Sequence, residues 1–232
     1  MKFSLVIPCY NESKNIPALL EKCANIIIPN EREVILVDNG STDDTPATLQ
    51  EFLPKYPGCR SVRVEKNQGY GFGILSGLKA ASGDILGWTH ADLQTDPTDT
   101  LKALELFNQS QENSFVKGKR YGRPLSDVFF TVGMSFFESI LLRTVLWDIN
   151  AQPNIFTRQF FESWQTPPHD FSLDLYVYYC AKKQKIPVLR FPVHFGERLH
   201  GASSWNVDWA SKKKFIKRTI EFSLNLKKGL AV

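Results

Sequence analysis

Four polar clusters in this 232-residue chain carry side chains able to bind or transform a ligand. Asp92 stands in Ala91-Asp92-Leu93-Gln94, shortly before Pro97, and follows the apolar run Ile85-Leu86-Gly87. His90 precedes it by two residues. Tyr10, Asn11 and Glu12 follow a first β-rich run ending at Pro8. Asp38 closes a second such run and opens the turn-rich Asp38-Asn39-Gly40-Ser41-Thr42-Asp43. A fourth cluster, Lys66-Asn67-Gln68-Gly69-Tyr70-Gly71-Phe72-Gly73, is rich in glycine. In an open α/β sheet, ligands bind beyond the carboxyl ends of the strands. Carboxylates gathered there repel one another unless a cation or a ligand's hydroxyls compensate. A nucleoside diphosphate brings ribose hydroxyls and, on its phosphates, a divalent metal. Each Asp alone serves equally well as a helix cap or turn former. Capping does not explain why a strand precedes every one of them.

The elements that must position these residues follow from periodicity. Residues 3–7, 33–38, 61–64, 84–88 and 114–118 read as strands. Helical spacing of apolar residues falls between them: Ile16, Leu19, Leu20 and Cys23, capped by Asn11 or Ser13; Leu49, Phe52 and Leu53 after Pro46; Ile74, Leu75 and Leu78; Leu101, Leu104 and Phe107. This alternation predicts βαβ units, and hence a mostly parallel central sheet with helices on both faces. Consecutive right-handed crossovers then bring the loops after strands one, two and four to one edge. After Lys119 the rhythm changes. Residues 125–147 are amphipathic and rich in Phe, Ile155-Phe156-Thr157 is a short strand, 170–183 a helix, 187–193 a strand, and the tail a basic helix. The chain reads as one domain: a nucleotide-binding half (1–118), an acceptor-side half (119–206) and a basic C-terminal helix (207–232).

Composition narrows the classes. Hydrophobic residues make up 43% of the chain, enough for a sizeable core. Four scattered Cys without a C-x-x-C speak against a disulfide framework or zinc site and for a reducing compartment. The N-terminal apolar run is too short for a signal sequence and reads as a strand. No stretch reaches about 18 uninterrupted apolar residues; Glu138 and Arg143 break the nearest, 128–147. The net charge of +4 is uneven, with Lys212, Lys213, Lys214, Lys217, Arg218, Lys227 and Lys228 crowded at the end. Aromatic residues of 125–147 beside such a tail suit either a core or a membrane interface. The glycine loop lacks G-x-G-x-x-G spacing, and no G-x-x-x-x-G-K-[ST] occurs, so dinucleotide and phosphate-loop proteins are excluded.

The ordered motifs resemble family-2 glycosyltransferases of the GT-A nucleotide-sugar fold. They are most similar to the branch of dolichyl-phosphate mannose synthase and polyprenyl-phosphate sugar transferases. The resemblance rests on Val6-Ile7-Pro8-Cys9-Tyr10-Asn11-Glu12, Val37-Asp38-Asn39-Gly40-Ser41-Thr42-Asp43, Asn67-Gln68-Gly69, Ala91-Asp92-Leu93-Gln94 with Pro97, Gly118-Lys119-Arg120-Tyr121, and Arg198 with Gly201, Ser203 and Ser204. It implies that Pro8, Tyr10, Glu12, Asp38, Gly69 and His90 hold the donor nucleotide sugar. It implies that Asp92, with Gln94, binds a divalent cation, Mg²⁺ or Mn²⁺, on its diphosphate. Arg120, Arg198, Ser203 and Ser204 would face donor or acceptor phosphates, since a guanidinium grips phosphate bidentately. The implied reaction inverts the anomeric carbon, with a polyprenyl phosphate, glycan or glycolipid as acceptor. The implied place is the cytoplasm, at the inner membrane face for a lipid acceptor, in cell-envelope glycan synthesis. No nucleic-acid partner is implied.

Two departures leave alternatives open. His90 replaces the first carboxylate of the D-x-D motif; an imidazole ligates Mn²⁺ but is a poor ligand for Mg²⁺. It could ligate metal, bond donor hydroxyls, or mark a site that leans on Arg and Lys; a non-catalytic nucleotide-sugar binder or partner subunit is the competing class. Secondly, Asp170 and Asp174, four apart, are candidates for a base toward an acceptor hydroxyl. A phosphate acceptor needs no base, and both would then be helix-start residues. A nucleotidyltransferase would need a triphosphate loop that residues 8–15 lack.

Overall fold

The computed structural model describes residues 1–110, 113–200 and 209–229. Strand and helix alternate as β1 (Phe3–Cys9), α1 (Ile16–Ala24), β2 (Arg32–Asn39), α2 (Thr45–Phe52), β3 (Cys59–Val64), α3 (Tyr70–Ala80), β4 (Ile85–Trp88), α4 (Asp99–Gln109) and β5 (Phe115–Tyr121). There follow α5 (Leu125–Leu142), β6 (Asn154–Thr157), α6 (Arg158–Glu162), α7 (Leu173–Lys183), β7 (Val188–His194) and α8 (Trp209–Lys227). Proline lies in the first turn of α1 and of α2, where its missing N–H leaves no bond unmade.

One seven-stranded sheet has the order β3-β2-β1-β4-β6-β5-β7. β1 pairs in parallel with both β2 and β4, so the chain switches sides between β1 and β4. The loops after those two strands therefore flank the crevice that a switch point creates. The central strands are buried on both faces. One core packs Val6, Val37, Trp88 and Phe156 against α3, α6 and α7; the other packs Leu5, Ile7 and Leu36 against α1 and α4.

The parallel reading holds everywhere except β6, which runs antiparallel to both β4 and β5. Its first residue, Asn154, pairs with Trp88 on one side and Lys117 on the other. Reversal thus delivers the preceding segment, 148–153, to the same edge as the loop after β4.

Several boundaries differ from the sequence reading. α1 begins after Asn15, because Asn11 takes a left-handed backbone (φ 57°) and a turn closes from Asn15 N–H to Glu12 O. α7 begins at Leu173; Asp170 is held outside it by a turn in which its carboxylate accepts the Ser172 N–H at 2.9 Å. The stretch 125–147 is helical only to Leu142, where Arg143 turns left-handed. Although Asp127 and Glu138 interrupt it, α5 is long and apolar enough, at mean hydropathy 1.5, to cross a membrane by length and composition; only 17% of it is buried.

Candidate functional site

At the carboxyl edge of the sheet lies a cleft of about 1050 Å³, ample for a nucleotide sugar. Its walls come from the end of β1 and the loop after it (Pro8, Tyr10, Glu12), from Asn39 and Asp43, from Gly69 and Tyr70, and from His90, Asp92 and Gln94 after β4. The second half of the chain contributes Arg120, Asn150, Asp174 and Arg198.

Hydrogen bonds explain why the first two loops stay together. Asn11 Oδ1 accepts the Thr42 N–H at 2.9 Å, Ser41 Oγ accepts the Asn11 N–H at 3.1 Å, and Thr45 Oγ1 accepts the Glu12 N–H at 2.8 Å. The Y-N-E and D-N-G-S-T-D motifs are therefore two halves of one interlocked wall. Glu12 accepts the Asn15 carboxamide, and burial, aided by Asp92, raises its pKa above the usual range. The glycine loop is shaped by a protein neighbour. Gly69 (φ 111°) and Gly71 lie against the 168–170 backbone, where any Cβ would strike a carbonyl oxygen. Tyr70 stacks on Phe171, ring centroids 4.7 Å apart, and its ring lies 5.8 Å from that of His90.

Asp92 is nearly buried. One oxygen accepts the Gln94 N–H at 3.2 Å; the other meets Arg198 Nη2 at 2.8 Å. Gln94 spans the gap between the two loops: its Nε2 donates to Gly196 O at 3.1 Å and its carbonyl accepts the Gly196 N–H at 2.7 Å. Burial holds the His90 pKa below its ordinary value, with Arg120 and Arg198 adding to burial and Asp92 and Asp174 opposing it. Burial thus favours the neutral imidazole.

Ten candidates meet in the cleft: Pro8, Tyr10, Glu12, Gly69, His90, Asp92, Gln94, Arg120, Asp174 and Arg198. Asp38 does not line it. Its carboxylate is engaged by the Ser41 N–H at 2.9 Å and by Arg63 Nη1 at 2.6 Å, so it braces the loop from behind. Asp170 also faces away, paired with Arg218 of α8 at 2.6 Å. Ser203 and Ser204 lie outside the described residues. Arg120 reaches the cleft but is tied to Asp148, its Nε to Oδ1 at 2.9 Å and its backbone N–H to Oδ2 at 2.8 Å. Arg123 and Arg190 approach the same carboxylate at 3.7 and 3.9 Å. Three guanidiniums around one carboxylate leave a positive surplus; burial pushes the Asp148 pKa up, but Arg120, by charge and hydrogen bonds, and Arg123 hold it low.

Arg123, Asp148, Asn150 and Lys117 escaped the sequence reading. The run Asp148-Ile149-Asn150-Ala151-Gln152-Pro153-Asn154, polar between two apolar elements, was the available signal. Arg123 also lines a second cavity of about 110 Å³, bounded by Phe130, Met134 and Glu138 of α5, that meets the cleft at Arg120 and Phe171.

A cleft at the switch point of an open α/β sheet is where such folds bind their ligands. Residues 4–176 match the family model Glycosyl transferase family 2, and the chain belongs to that family. It is 28% identical over 211 residues to the dolichol-phosphate mannosyltransferase of Pyrococcus furiosus, covering 88% of this chain and 59% of that one. It is 34% identical over 117 residues to an undecaprenyl-phosphate 4-deoxy-4-formamido-L-arabinose transferase of Serratia proteamaculans, covering 48% and 35%. The chain thus spans less than two thirds of the length of these relatives. The fold is shared with glucosyl-3-phosphoglycerate synthase of Mycobacterium tuberculosis, solved with Mn²⁺, UDP and phosphoglyceric acid: TM-score 0.75, 19% identity, 99% of this chain and 79% of that one.

Proposed function

We propose that the chain transfers a sugar from a nucleotide-sugar donor to a polyprenyl-phosphate acceptor, inverting the anomeric carbon. The observation that carries this reading is the convergence of the interlocked 8–15 and 38–43 loops with the Asp92–Arg198 pair on one cleft, in a chain of this family. The base and ribose sit against Pro8, Tyr10, Glu12 and Gly69. Among the described residues no three His, Cys, Asp or Glu side chains form a ready cation cage. One carboxylate, Asp92, beside a neutral imidazole still fits a cation that arrives on a diphosphate, because phosphates and water complete its shell. Asp92, with His90 and Gln94, would hold it, and the cation would neutralise the departing diphosphate. Arg198 adds a second positive charge at the same point. His90 accepts or donates a hydrogen bond to a donor hydroxyl. Arg120 and Arg123 receive the acceptor's phosphate where the small cavity opens into the cleft.

A panel of UDP-, GDP- and dTDP-sugars, with and without Mn²⁺, tests the reading by thermal unfolding. A donor at a hundred times its Kd adds about 2.7 kcal/mol, a rise of roughly 5–10 °C for a domain of this size. No shift with any donor, and no donor consumed, would sink the proposal.

The acceptor places the chain at a membrane surface, and α5 supplies the contact. Leu125, Phe129, Phe136 and Ile140 fall on one face of α5, and Phe129 and Phe136 are 82% and 67% exposed. The opposite face lines the small cavity. α8 packs beside α5 and exposes Lys213, Lys217, Arg218 and Lys227, with Lys228 just beyond its end. Aromatic rings next to such charges suit an anionic interface. Replacing Phe129 and Phe136 together by Ser is expected to weaken sedimentation with phosphatidylglycerol vesicles at least tenfold without lowering the melting temperature. Unchanged vesicle binding would remove α5 from the contact.

A further inference from the structure

Asp170 and the basic helix α8 take no part in the reaction as described, yet they meet at the segment that backs the glycine loop. Arg218 Nη2 stands 2.6 Å from Asp170 Oδ2, and Asp170 Oδ1 accepts the Ser172 N–H at 2.9 Å. The two carboxylate oxygens thus fasten residue 170 to α8 on one side and to the start of α7 on the other. Pro167 and Pro168, just before it, bring no backbone N–H, so that stretch cannot anchor itself by donating hydrogen bonds.

What this segment holds is the entry to α3. Gly69 caps α3 without a side chain, so the N–H groups of the first turn need acceptors from elsewhere. His169 O accepts the Phe72 N–H at 3.0 Å. The Phe72 ring meets the His169 ring edge-on, centroids 5.0 Å apart, and Tyr70 stacks on Phe171. Gly69 and Gly71 are the residues that let the 168–170 backbone come this close. From the opposite direction Asn39 Nδ2 donates to Gly69 O at 2.9 Å, and Asn39, Asn67, Gly69 and Tyr70 line the cleft. Direct contacts therefore run unbroken from Arg218 through Asp170 and His169 to the wall of the nucleotide site.

We infer that Asp170 is a positioning residue: clamped by Arg218, it seats the 168–170 backbone against the glycine loop and so sets the wall that receives the donor. The Arg218 and Asp170 side chains are 53% and 28% exposed, so the pair has the strength of a surface ion pair, a few-fold in an equilibrium. Its leverage comes from where it sits. The carbonyl it steadies caps α3, and the backbone beside that carbonyl is packed on two glycines.

The inference rests on the proposed donor reading for its binding arm only. Asp170→Asn keeps an acceptor for the Ser172 N–H and removes the charge that meets Arg218; Arg218→Gln removes the other half of the pair. In each folded variant, deuterium exchange at the amides of residues 70–73 is expected to quicken about three- to fivefold. The double variant is expected to exchange no faster than the quicker single one, since all three lose the same contact. The binding arm titrates, by calorimetry with Mn²⁺, whichever of UDP, GDP and dTDP stabilises the wild type. Its Kd is expected to rise about three- to fivefold in all three variants. With a sugar donor, KM rises likewise while kcat at saturation stays within about twofold. Wild-type exchange across residues 70–73, losses that multiply in the double variant, or an unchanged nucleotide Kd overturns the inference. If the wild type binds none of the three nucleotides, the donor reading fails, and exchange alone decides whether Asp170 sets the loop.

Discussion

Asp92→Asn is expected to lower sugar transfer by roughly two to three orders of magnitude while leaving the fold intact. The substitution keeps an oxygen for the Gln94 N–H and removes the negative charge that faces Arg198 at 2.8 Å. That charge would anchor the cation on the diphosphate. Without it, Arg198 alone meets the charge developing on the leaving group, so the deficit falls on kcat more than on KM. Initial rates at saturating donor with Mn²⁺, beside a melting curve, make the measurement. A variant retaining more than about a tenth of wild-type kcat would take Asp92 out of the chemistry.

Glu138→Gln is expected to stabilise the protein at neutral and alkaline pH. Glu138 is fully buried on the inner face of α5, and neither carboxylate oxygen accepts a geometrically sound hydrogen bond. Ser223 of α8 is beside it and pulls its pKa down slightly, yet the Ser223 hydroxyl donates to Thr219 O at 2.8 Å. Burial wins, and the Glu138 pKa rises to about 7. An acid raised in the folded state holds its proton where the unfolded chain has released it. Stability therefore falls as pH climbs from about 4.5 to about 7, by up to about 3 kcal/mol, and levels off above. The amide resembles the protonated acid and escapes this loss. Thermal unfolding should show a gap of roughly 6–12 °C at pH 8 that closes toward pH 4.5. An equal gap at both pH values would show that ionisation is not the cause.

The first half of the chain was legible because its signals are local. Apolar strands, proline-started helices and strand-end carboxylates all fall within short windows, and β1 to β5 came out in order. What escaped depends on register. Asp38 and Arg63 pair because they face each other across β2 and β3, a fact visible only once the strands are aligned. The same holds for Lys117 and Asn154 across β5 and β6. Asp170 and Asp174 share a face if helix runs through both, but the helix starts three residues after Asp170, and the pair parts company. The exposure of Phe129 and Phe136 was undecidable from spacing, since a core helix and an interfacial one carry the same periodicity.

The reversed strand β6 has a consequence for how such a chain can diversify. Because β6 enters beside β5 at the edge where β5 leaves, everything between Tyr121 and Asn154 departs from the sheet and returns to it at one point. That excursion contains α5, with the face it turns to the small cavity, and Arg123 and Asp148 of the arginine cluster. It is a cassette: the length and apolar character of α5 can be exchanged while β5 and β6 keep their places in the sheet, so the face that α5 presents can vary independently of the loops after β1, β2 and β4.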